Sequence, residues 1–144
     1  MSKLSIFTIG YESRRSEEVM DQLARSGVVC LLDVRLRPLS RKPGLSKTVF
    51  AESCNLLGIE YIHDKRLGTP PEMLKAVREN GGYEDWDEYR QYLEAQTDAL
   101  DSALGIVDLG PTALMCFELN PDECHRSVVA EYLHRASGMP VVHL

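Results

Sequence analysis

The sequence predicts an α/β fold: a three-layer α/β/α sandwich around a mainly parallel five-stranded sheet, with 3-2-1-4-5 as the expected strand order. Three observations carry this. Runs such as VVCLLDV (28–34) are apolar almost without a break, as strands covered on both faces are. Strand-like and helix-like patterns alternate in the order β-α-β-α-β-α-α-β-α-β, which suits parallel strands joined by helical crossovers. Glycine and proline fall mostly between these patterns. At 144 residues the chain fits a single domain spanning 1–144, large enough to bury roughly two-thirds of its unfolded surface.

Residues 5–12, SIFTIGYE, combine β-rich side chains with a Gly-Tyr-Glu exit, as a buried strand running into a loop does. Ser16 then offers an N-cap and Glu17 and Glu18 complement the helix dipole. Val19, Met20, Leu23 and Ala24 form one apolar stripe before Gly27. After the second strand, residues 35–47 (RLRPLSRKPGLSK) hold five basic side chains and no acid. Two prolines and a glycine exclude a regular element through their middle. Val49, Phe50, Cys54 and Leu57 recur at helical spacing up to Gly58, and IEYIH (59–63) alternates as a third strand would.

A further helix starts at Thr69-Pro70-Pro71-Glu72 and is stopped by Asn80-Gly81-Gly82. Over 85–104 one long helix is expected, with Trp86, Tyr89, Leu93, Gln96, Leu100 and Leu104 near one face. The helical spacing of Tyr83, Trp86, Tyr89 and Tyr92 fits core packing better than a base-stacking platform. Gly110 and Pro111 turn into a fourth strand, TALMCFE. The Asn120-Pro121-Asp122-Glu123 run reads as the start of the last helix, which would set Cys124, Val128 and Tyr132 on its inward face. MPVVHL (139–144) supplies the final strand.

The hydrophobic share of 44% and charged share of 26% are ordinary for a globular protein. A net charge of -6 excludes a chain that coats nucleic acid with its whole surface. No apolar run is long enough to span a bilayer and MSKLSIFTIG lacks a signal-peptide pattern, so a cytoplasmic location and no membrane partner are expected. The four cysteines are then read as reduced thiols, with Cys30 and Cys54 as small buried hydrophobes.

In such sheets ligands bind at the carboxyl ends of the strands, beside the point where strand order reverses. That placement gathers scattered polar residues on one rim. Gly10, Tyr11 and Glu12 end the first strand, Asp33 and Arg35 the second, His63 and Asp64 the third, and Cys116 and Glu118 the fourth. The basic loop with Arg37, Arg41 and Lys42 emerges there too, an anion clamp in an otherwise acidic chain.

TIGYE, DVR with its basic proline-containing loop, GIEYIHDKRLG, a strand ending in CFE, and CHRSVVAEYL together resemble the family of the domain of unknown function 488. The resemblance covers nearly the whole chain. It implies an α/β domain of microbial proteins and no particular reaction. The family's characteristic polar positions fall on Gly10, Tyr11, Asp33, Arg35, Pro38, Cys116, Glu118, Cys124, His125 and Arg126; the Leu67-Gly68-Thr69 segment departs from it where relatives often carry a second glycine. A looser similarity links DVR and the Arg-Ser pair opening a helix to rhodaneses and cysteine phosphatases. Nine residues separate Cys116 from Arg126, more than the phosphatase signature has, and Asp122 and Glu123 in that loop would repel a phosphate.

Three readings of the strand-to-helix segment 112–132 follow. In the first the chain is an enzyme on an anionic ligand, phosphate-containing or related to nucleic acid. Arg126 and a helix N-terminus would activate Cys116 or Cys124, and Glu118 or His125 would move protons. Gly10, Tyr11, Glu12, Asp33, Arg35, Arg37, Arg41, Lys42, His63 and Ser127 would surround the ligand, and no cofactor is required. In the second, Cys116, Cys124 and His125 hold a metal ion, although their spacing matches no standard knuckle. In the third, the basic loops bind nucleic acid or protein without catalysis.

Overall fold

The computed structural model describes residues 4–79 and 86–144. Five strands form one all-parallel sheet: β1 (Ile6–Gly10), β2 (Cys30–Asp33), β3 (Glu60–His63), β4 (Thr112–Cys116) and β5 (Val141–His143). Helices α1 (Ser16–Arg25), α2 (Lys47–Leu56), α3 (Pro71–Glu79), α4 (Asp87–Ala95), α5 (Thr97–Leu109) and α6 (Arg126–Ser137) connect them. Short 3-10 turns lie at Lys65–Leu67 and Pro121–Glu123. None of the described helices is long and apolar enough to cross a membrane.

Side chains alternate across the sheet, and both faces are covered. Ile6, Leu32, Leu114 and Cys116 join one core with residues of α4, α5 and α6; Ile9, Leu31, Ala113 and Met115 join another with residues of α1 and α2. The α/β class with a parallel sheet is therefore as the apolar runs predict.

Strand order is corrected to 3-2-4-1-5. β4 lies between β1 and β2, whereas the expected order set β1 beside β2. The reason is tiling: all five residues of β4 are buried, while β3 and β5 keep partial exposure and take the edges. Apolar content alone does not separate β1 from β4 as the centre. The chain leaves β1 and β2 toward one face and β4 toward the other, so β4 has a crevice on each side of its carboxyl end.

Two helix expectations also change. The single helix over 85–104 is broken at Gln96, which adopts φ -87°, ψ 56° and ends α4 while opening α5. The break re-aims the second segment, so that Ala99, Leu100, Ala103 and Val107 face the core instead of a stripe through Gln96. Helix α1 starts at Ser16 with Arg15 in the N-cap position, its backbone N–H held by the Glu18 carboxylate at 3.0 Å. Trp86 and Tyr89 are buried, as core packing requires, whereas Tyr83 and the Asn80-Gly81-Gly82 stop lie outside the described residues.

Candidate functional site

Strand register brings the polar ends together. Gly10 is level with Cys116, and Asp33 is level with both Met115 and His63. Gly10 has to be glycine: a Cβ there would lie 1.8 Å from the Glu118 carbonyl oxygen and 3.1 Å from Arg126 Nη1. The segment after β4 therefore folds directly over the end of β1, and the Tyr11 and Glu12 N–H groups both donate to the Phe117 carbonyl, at 3.1 and 2.8 Å.

Above β2 and β4 lies a cavity of about 720 Å³, lined by Cys116, Glu118 and His125 together with Arg35, Arg37, Arg41 and Lys42. Tyr11, Thr69 and Phe117 complete much of its wall. Four basic side chains and one carboxyl group are among its lining, with Arg35 paired to Asp33 beneath it.

Arg35 builds the basic side. It is 4% exposed and clamps the fully buried Asp33 through Nε at 2.9 Å and Nη2 at 2.7 Å, while Nη1 donates to the Leu45 carbonyl at 2.7 Å and to Tyr11 Oη at 3.3 Å. Burial works against the guanidinium, but the Asp33 carboxylate outweighs it and raises the Arg35 pKa. Tyr61 donates its hydroxyl to the same carboxylate. The basic loop is thus pinned at Leu45, and again where Lys42 Nζ donates to the carbonyls of Tyr11 at 3.0 Å and Arg14 at 3.2 Å. Gly68 lets the chain after β3 pass the start of this loop, since a Cβ would come within 2.5 Å of Leu36 Cα. Arg37 and Arg41 stay exposed and make no ion pair with a described residue.

A thiol and imidazole cluster reaches the cavity through Cys116 and His125. Cys116, Cys124 and His125 are all buried, and their ligating atoms lie within 4.8 Å of one another. His125 donates Nε2–H to the Val34 carbonyl at 2.8 Å, which leaves Nδ1 for the thiols. Cys124 stands on extended backbone (φ -130°, ψ 139°) between the Pro121–Glu123 turn and α6, not on the helix where the Pro-Asp-Glu run was expected to put it. Asn120 Oδ1 closes that turn on the Asp122 N–H, and a 3-10 turn lacks the length to carry on into α6.

Charge within the cluster is shared. Burial opposes ionisation of Cys124, yet Cys116, His125 and the Arg126 charge together hold its thiol well below the ordinary value. Cys116 is raised by its interaction with Cys124 and by burial, so it carries the proton when Cys124 is ionised. Burial lowers His125, but Cys124 and the Val34 carbonyl outweigh it and raise the imidazole. Burial and the Cys124 charge push Glu118 up to about 7. By contrast, burial pushes Cys30 up to about 11 and Cys54 up to about 12, which makes both inert near neutrality.

Cys, Cys and His suit zinc chemically. However, Cys116 Sγ lies 3.7 Å from Nδ1 and 3.8 Å from Nε2, so it sits against the flank of the ring and not along the Nδ1 lone pair. A shared ion would need Cys116 or His125 to rotate.

Several residues of the expected rim serve the frame instead. Arg126 is fully buried but turns back to donate to the carbonyls of Glu118 and Leu119, its Nε finding no partner among the described residues, and it does not line the cavity. Glu12 Oε1 accepts the Leu119 N–H at 3.0 Å, His63 Nε2 donates to the Arg35 carbonyl at 2.7 Å, and Ser127 donates to the Pro121 carbonyl. Asp33 acts through Arg35. Asp122 and Glu123 are exposed outside the cavity, so they do not repel an anion within it.

Thr69 and Tyr61 escape the motif reading. Thr69 is 3% exposed, lines the cavity, and its Oγ1 has no hydrogen-bond partner among the described residues. Its place just after β3, on the same rim, is the signal that would have found it. Tyr61 is read only as a strand residue in IEYIH, yet it holds Asp33 from the neighbouring strand.

A family model described as domain of unknown function DUF488 matches residues 15–133 of the chain. Comparison with curated proteins and with solved structures finds no match.

Proposed function

The chain belongs to the family of the domain of unknown function DUF488, and we propose that it is a thiol-dependent enzyme acting on an anionic ligand at the carboxyl end of its sheet. One observation carries the reading: one cavity of about 720 Å³ is lined both by Cys116, Glu118 and His125 and by Arg35, Arg37, Arg41 and Lys42. A nucleophile, two proton carriers and a set of cations are the components an attack on an anionic electrophile needs.

Roles follow from position. Cys116 is the sulfur that borders the cavity, so it is the nucleophile; the thiolate charge rests on Cys124 behind it, and the Cys116 proton passes to Cys124 only as the new bond to Cys116 forms. Glu118, with a pKa near 7, gives a proton to the leaving group and recovers one afterwards. Arg37 and Arg41 hold the anion, and Arg35 keeps the loop in place through Asp33. Arg126 acts by its charge on Cys124 and by fixing the segment 118–119.

The test compares alkylation of Cys116 by iodoacetate, an anion, with alkylation by uncharged iodoacetamide. Ordinary thiols react more slowly with iodoacetate. Here iodoacetate should react faster, and the Arg37→Ala, Arg41→Ala double variant should abolish that preference. Cys116 that stays unreactive until the protein unfolds would refute the reading.

A further inference from the structure

Two of the four cysteines are paired at the cavity, and a nucleophilic mechanism needs only one. Cys116 borders the cavity while Cys124 is 1% exposed immediately behind it, and their sulfur atoms lie within 4.8 Å. Cys124 lies outside the helix, on extended backbone between a short turn and α6. No disulfide joins the pair, and both are free thiols. A second thiol beside a nucleophilic one serves to displace whatever that nucleophile has bonded to.

We infer that Cys116 and Cys124 form a dithiol couple whose substrate is an anionic disulfide, reduced at the cavity at the expense of a Cys116–Cys124 disulfide. This rests on the reading of Cys116 as the nucleophile and names the class of its substrate. As Cys116 Sγ attacks the nearer substrate sulfur, its proton passes to Cys124. The substrate S–S bond breaks and the departing thiolate takes the Glu118 proton, leaving a mixed disulfide on Cys116. Cys124 then returns its proton to the Glu118 carboxylate and attacks Cys116 Sγ. The mixed S–S bond breaks and a second thiolate leaves. Two electrons have moved from the protein to the substrate, which departs as one thiol and one thiolate. An external dithiol reductant restores the couple by the reverse exchange. Arg37 and Arg41 recognise the carboxylates of the substrate, and Cys30 and Cys54 take no part.

Reduced protein is mixed with oxidised glutathione, an anionic disulfide, or with uncharged bis(2-hydroxyethyl) disulfide, and followed by intact mass spectrometry. The wild type should lose two hydrogens and release two thiols, with oxidised glutathione reacting roughly tenfold faster at low salt. Cys124→Ser should stop at a stable glutathione adduct on Cys116, and Cys116→Ser should give neither product. A wild type that keeps the adduct, or shows no preference for the anionic disulfide, overturns the inference. Failure here with the iodoacetate preference intact leaves the anion-directed thiol reading standing; loss of both removes the two together.

Discussion

His125 gives its Nε2–H to the Val34 carbonyl oxygen at 2.8 Å, so the backbone just after β2 occupies that nitrogen and leaves Nδ1 available beside the Cys116 and Cys124 thiols. Nδ1 is the atom left to exchange a proton with sulfur. His125→Phe keeps a ring against Tyr89, which packs edge-on at 5.5 Å, but removes that nitrogen. Alkylation of Cys116 at neutral pH should fall by about a hundredfold. The rate is read by mass spectrometry on folded protein, and a rate unchanged from wild type would detach the imidazole from the thiols.

Glu118 makes stability depend on pH with a definite sign. Its folded pKa of about 7 stands above the ordinary 4.5, because burial and the Cys124 charge disfavour the carboxylate. The folded state therefore holds a proton that the unfolded state releases. The stability this contributes is complete below the unfolded value and is lost as pH rises through about 7. Glu118→Gln should gain on the wild type steadily from about pH 4.5 to about pH 8 in urea denaturation midpoints. Parallel curves for the two proteins would contradict the shift.

Removing Arg35 strands a buried carboxylate. Arg35→Met should cost about 3–5 kcal/mol, since Asp33 is fully buried and among the described residues keeps only Tyr61 as a side-chain partner. The Leu45 carbonyl is released at the same time, so trypsin should cut the basic loop faster. Asp33→Leu added to Arg35→Met should recover most of the stability and none of the protease resistance. Denaturant titration and a timed digest separate the two effects.

Gly10 and Gly105 predict opposite signs for one substitution. Gly10→Ala drives a methyl group into the Glu118 carbonyl, with a Cβ contact of 1.8 Å, and should cost about 3 kcal/mol or more. The displaced Glu118 should also slow Cys116 alkylation. Gly105 lies inside α5 with nothing within 4 Å of a Cβ, so Gly105→Ala should stabilise by about 1 kcal/mol. Thermal midpoints of the two variants on either side of wild type are the expected result.

Much of the frame was legible in local patterns. Apolar runs and helix punctuation locate β1, β2 and β4, and the Pro and Gly residues of 35–47 mark the basic loop before α2. Gln96 was not legible, because a helix-compatible residue breaks a helix when two segments must aim their apolar faces at one core. Nor was the turn at Asn120, where a helix-start pattern forms only a 3-10 turn.

Within the site, the sequence by itself determined which chemistries are on offer: thiols at 116 and 124, an imidazole at 125, a carboxyl at 118, and a basic loop at the end of a parallel strand. Covalent connection supplies these, since each lies at a strand end or on the segment that directly follows one. Only the tertiary structure decided how they are used. β4 runs between β1 and β2, which brings Cys116 and His125 into one cavity with Arg35 and its loop, while Arg126 turns back onto the carbonyls of Glu118 and Leu119. The physical reason is that strand order and side-chain direction come from covering both faces of the sheet and satisfying buried carbonyls, and those demands arise between segments distant in the chain.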